Sequence, residues 1–74
     1  MTYQIMWKDR GGFPGGLAES FDADNNKTAL AEFKARAPLL RNRNLNTRLG
    51  HCAVILVTAK GAKIGPQISV GFSC

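Results

Sequence analysis

Cys52-Ala53-Val54-Ile55-Leu56-Val57-Thr58-Ala59 is apolar at nearly every position. Successive residues of a strand point to opposite faces of a sheet, so both faces of this run are apolar where a half-exposed strand would alternate with polar residues. The run holds no proline, and it predicts a strand at the centre of a sheet. Residues 26–37 provide the one convincing helix. A single helix covers one face of a small sheet; the other face then has to meet a second copy, another protein or solvent.

Outward from this run the chain divides into short elements. Residues 2–8 alternate, with Tyr3, Ile5 and Trp7 pointing one way and Thr2, Gln4 and Lys8 the other, which predicts a strand. Gly11-Gly12-Phe13-Pro14-Gly15-Gly16 cannot continue it at low cost and reads as a hairpin loop. Residues 17–22 return as a second strand, with Leu17 and Phe21 on one face and Ala18 and Ser20 on the other. Asp24-Asn25-Asn26-Lys27-Thr28 offers side-chain acceptors for the free amides of a first helical turn. Leu30, Phe33, Ala37 and Leu40 then recur at helical spacing as one apolar stripe. Pro38 lacks an amide hydrogen and disfavours helical geometry at Ala37, so the helix is expected to end or kink there.

Residues 39–50 carry Arg41, Arg43 and Arg48 with no acid, and asparagines at 42, 44 and 46 argue for a loop. Lys60-Gly61-Ala62-Lys63 forms a turn. Residues 64–73 form the last strand, Ile68, Val70 and Phe72 alternating with polar or small residues, and Gly65-Pro66 marks a bulge or a sheet edge. The expected fold is α+β, a small ββαββ domain in which a four-stranded, mostly antiparallel sheet packs one helix on one face.

At 74 residues the chain is one domain, near the lower limit for a fold held by its core alone. Ten Lys and Arg against five Asp and Glu leave a formal charge of +5, which favours acidic partners. Cys52 and Cys74 are too few, with the lone His51, for a zinc site, and two free thiols in a reducing cytosol are the expectation. No apolar run approaches the roughly 20 residues of a membrane span. The first residues lack the pattern of a secretory signal, so a cytoplasmic protein that does not engage membranes is expected.

No catalytic set appears. His51 and Cys52 are neighbours on a strand and point apart. Asp9, Glu19, Asp22, Asp24 and Glu32 are scattered through positions where capping and solubility account for them. Neither enzyme activity nor a cofactor nor a metal is expected. Gly12-Phe13-Pro14-Gly15 matches the bare clamp pattern of KH domains, but here it joins two strands rather than two helices. Phe13 at its tip is a candidate contact residue. Lys34, Arg36, Arg41, Arg43, Arg48, Lys60 and Lys63 are candidates for one positive partner-binding face. The alternative is a solvated surface.

In architecture the paired hairpins around one helix resemble several small folds, among them phage-encoded inhibitors such as some anti-CRISPR proteins. The uncovered apolar sheet face and the lack of a catalytic set point to a non-enzymatic protein-binding module, and the resemblance implies an inhibitor of a host nucleic-acid-handling complex, working in the host cytoplasm. Partners are then a second copy of the chain or a protein with an acidic surface. The alternatives are direct nucleic-acid binding through the basic loop and a self-assembling structural subunit.

Overall fold

The computed structural model describes residues 1–9 and 14–71, with Pro14 by its backbone alone. The elements are β1 (Thr2–Lys8), β2 (Pro14–Asp22), α1 (Asn26–Thr47), β3 (Ala53–Thr58) and β4 (Lys63–Ser69). They form one four-stranded antiparallel sheet in the order β2-β1-β3-β4, with α1 on one face. The ββαββ arrangement is the one expected, and the apolar run occupies a central strand. Phe13, Phe72 and Cys74 lie outside the described residues.

Register explains how the faces are filled. β1 and β3 pair Tyr3 with Thr58, Ile5 with Leu56 and Trp7 with Val54, and these residues face the helix. Phe21 of β2 and Ile64 and Ile68 of β4 join them on that side. The core also takes in Ala29, Phe33, Ala37 and Leu40 from the helix and Val70 beyond β4. Phe33 is fully buried. In β2 the expected alternation fails. A register shift between Ile5 and Met6 places Leu17 opposite Met6, so Leu17 is exposed on the helix-free face while Ala18 packs against the core. The extra residue of such a bulge reverses the faces on either side of it.

The helix corrects the expectation most. It starts where expected, with the side chain of Asn25 accepting from the Thr28 amide at 2.8 Å. It then continues through Pro38 for 22 residues, so the basic segment expected to be a loop is mostly helix. Proline in a helix interior costs on the order of 3 kcal/mol. Two buried side chains beyond it offset that cost: Leu40 enters the core, and Asn44 is fully buried. The Asn44 amide nitrogen donates to the carbonyls of His51 at 2.8 Å and Val70 at 3.1 Å, while its oxygen accepts from the His51 amide at 3.1 Å. One helical asparagine thereby ties α1 to the chain before β3 and after β4. Arg48 ends the helix in the left-handed conformation, φ 54°.

Strand ends differ in smaller ways. β2 begins at Pro14, inside the expected glycine loop, and β4 stops at Ser69. At Gly65, φ 68°, a Cβ would stand 2.8 Å from Leu30 Cδ1, so glycine here lets the helix approach the edge strand. Cys52 is disulfide-bonded, which corrects the expected pair of free thiols. Cys74 is the one other cysteine of the chain.

Candidate protein-binding surfaces

The seven basic candidates do not share one face. At about 100° per residue, Lys34 and Arg41 fall on the flank of α1 that looks toward β4, and Arg36 and Arg43 on the opposite flank. Arg36 is engaged there. It donates to Glu32 at 2.8 Å and to Glu19 at 3.0 Å, and its guanidinium lies 4.8 Å from the centre of the Phe21 ring. Hydrogen bonds to Glu32 first, and then Glu19, hold its pKa above the usual arginine value. Arg43 lies 5.8 Å over the Trp7 ring. Arg48 caps the helix, Lys60 sits in the β3–β4 turn, and Lys63 pairs with Val57 on the helix-free face.

Lys34 and Arg41 stand over a groove between α1 and β4. Its walls are Ala37, Pro38, Asn42, Leu45, Ile68 and Ser69, and its volume is about 520 Å³. The floor is mainly apolar. No acid lines it, and neither cation has an ion-pair partner among the described residues. Leu45 is 39% exposed. Pro38, Leu45, Ile68 and Ser69 were not expected at a site. Helical spacing carried past Pro38 would have found Leu45, which follows Ala37 and Pro38 on the same flank.

The helix-free face of the sheet is apolar along its middle and polar around it. Met6, Ile55 and Val57 form the strip, and Leu17, 53% exposed, extends it toward β2. Gln4 and Lys63 flank it, and Lys8 Nζ donates to Gln67 across it. Val57 retains 8% of its surface. The uncovered face expected from the sequence is therefore present but narrow.

A third cluster sits where β1 leaves the sheet. His51 stacks on Trp7 with ring centres 4.7 Å apart and planes 16° from parallel, and its Nδ1 contacts Asp9. Gly15 closes over the pair: a Cβ there would stand 2.8 Å from both Asp9 Oδ1 and His51 Nδ1. Cys52 Sγ lies 3.1 Å from the Lys8 carbonyl oxygen. His51 is thus occupied by Asp9 and Trp7. No group of three or more His, Cys, Asp or Glu among the described residues is placed to hold a metal ion. No helix among them is long and apolar enough to cross a membrane. Comparisons with protein-family models, curated proteins and solved structures find no match to this chain.

Proposed function

We propose that the chain is a non-enzymatic protein-binding module that docks on an acidic surface of another protein through the flank formed by α1 and β4. The observation that carries this reading is the groove itself, where Lys34 and Arg41 stand over mainly apolar walls that no acid among the described residues lines. An apolar floor gives a protein side chain somewhere to be buried, and a cationic rim selects an acidic neighbour. A phosphate backbone asks instead for a broad continuous field of cations. Here Arg36, Arg43, Arg48, Lys60 and Lys63 are spread over the opposite flank, the helix end, the turn and the helix-free face.

In its finer form the partner is a host nucleic-acid-handling complex and the chain a phage or mobile-element inhibitor that blocks it in the host cytoplasm. This form rests on the fold-level analogy alone. Disulfides are rare in a reducing cytosol, so this setting requires that the fold persist with Cys52 reduced. A second reading is self-association through the helix-free face, favoured by the exposure of Leu17 beside Met6, Ile55 and Val57. Lys63 and Asp22 lie toward opposite edges of that face, so a copy turned about an axis along the strands would bring them toward each other.

Cross-linking in a bacterial lysate tests the primary reading, comparing the parent with Lys34→Glu/Arg41→Glu, with and without nuclease. The expected result is a protein adduct that survives nuclease and is lost in the double variant. Capture that disappears with nuclease would transfer the function to nucleic-acid binding. No adduct, or one indifferent to the double variant, overturns the assignment to this flank.

A further inference from the structure

We infer that β4 is a docking edge: an extended acidic segment of the partner adds as a fifth strand beside Gln67, Ile68 and Ser69, with alternate side chains in the groove against α1. The inference rests on the protein-binding reading and specifies its mode. β4 is one of the two edges of the sheet. In an antiparallel ladder the backbone groups of successive residues point alternately toward the neighbouring strand and away from it. Val70 donates its amide to the Cys52 carbonyl at 3.1 Å, and the next pair in register is Ala53 with Ser69. The amide and carbonyl of Ser69 therefore point away from β3, to the edge that no described strand pairs, and Ser69 also lines the groove.

Natural sheets guard their edges with proline, lysine and bulges. β4 has all of these, but only in its first half, where Lys63, Gly65 and Pro66 stand and the register shifts between Val54 and Leu56. Gln67, Ile68 and Ser69 follow with no such guard. This is the half that faces the groove. The other edge suits an acidic segment less, because β2 carries Glu19 and Asp22.

Spacing defines the segment. Lys34 and Arg41 are two helical turns apart, about 10 Å along the axis. In an extended peptide, residues four apart lie on one face about 13 Å from each other, and the residue midway shares that face. A pattern acidic–x–apolar–x–acidic therefore sets an apolar side chain over Ala37, Pro38 and Leu45 and brings a carboxylate within reach of each cation. Main-chain hydrogen bonds supply the pairing and alternate side chains the selectivity, as in strand addition generally.

The test is an amide NMR titration of the full chain with the capped peptide Thr-Asp-Thr-Leu-Thr-Asp-Thr. Its counterpart with lysine in place of aspartate is the control. Expected are saturable shifts along residues 67–70 and the α1 flank, slower hydrogen exchange at Ser69, and at least tenfold weaker binding to Lys34→Glu/Arg41→Glu. Ser69→Pro removes the outward donor and should abolish binding while the remaining amide spectrum stays dispersed. If that variant does not fold, hydrogen exchange at Ser69 in the parent decides alone. Shifts confined to α1 with unchanged exchange at Ser69 overturn strand addition and leave the protein-binding reading standing. So does an absence of binding to this peptide when the lysate adduct is still lost in the charge variant. Equal binding of the lysine peptide overturns the acidic preference.

Discussion

Asn44 reaches two carbonyls and one amide from a single position on the helix. Truncation to alanine leaves those groups without a partner in a site water does not freely enter, and one buried group so orphaned costs about 1–3 kcal/mol. Asn44→Ala should therefore lower the urea midpoint by a large part of the stability of so small a domain. A loss below about 0.5 kcal/mol would mean that water replaces the amide without penalty. Arg48 makes the opposite case. It holds φ 54°, where a side chain costs roughly 1 kcal/mol relative to glycine. Arg48→Gly should raise the urea midpoint by that order, and a lower midpoint would show that the arginine side chain contributes more than its backbone costs.

At the scale of the element, α1 is a helix that local propensity would stop at Pro38. The proline removes the hydrogen bond to the Lys34 carbonyl and crowds that turn, while its exposed ring adds nothing to the core. Pro38→Ala should stabilise the folded state by about 1–3 kcal/mol, less the freedom the unfolded chain regains, by calorimetry. Because Pro38 also walls the groove, the same variant should bind an acidic segment less well. Higher stability with weaker binding would identify the proline as a residue kept for the surface it forms. A variant less stable than the parent would mean that the helix is already bent around it.

On the scale of the whole molecule, the disulfide and the helix-free face bear on where and in what form the protein works. A disulfide at Cys52 restricts the unfolded chain, and such bonds typically contribute about 2–4 kcal/mol. Reduction should lower the melting temperature by roughly 10–20 °C. A smaller change would fit work in a reducing compartment, while unfolding on reduction would exclude the cytoplasmic setting. Sedimentation at micromolar concentration tests self-association. A dimer that dissociates on Leu17→Glu would place a second copy on the helix-free face, and a monomer at every concentration removes that reading.

Much of this fold is legible in the sequence because the deciding signals are local. Alternation in residues 2–8, the doubly apolar run from Cys52, the Asn25 cap and the glycine turns each depend on neighbours within a few residues, and together they specify ββαββ. The site is less legible. Pro38 and the asparagines argue correctly for a break if only local preference acts, yet Leu40 and Asn44 find partners from β3 and from the chain after β4, and burial outweighs propensity. The faces of β2 are not legible for a similar reason: the bulge at Ala18 is set by pairing with β1. Seven cations can be singled out by their positions in the sequence, but only the packing of α1 against the sheet divides the four helical ones between two flanks and leaves Lys34 and Arg41 over a mainly apolar groove. Local chemistry determines which elements form. Contacts between residues distant in sequence determine where the helix stops and which charges meet.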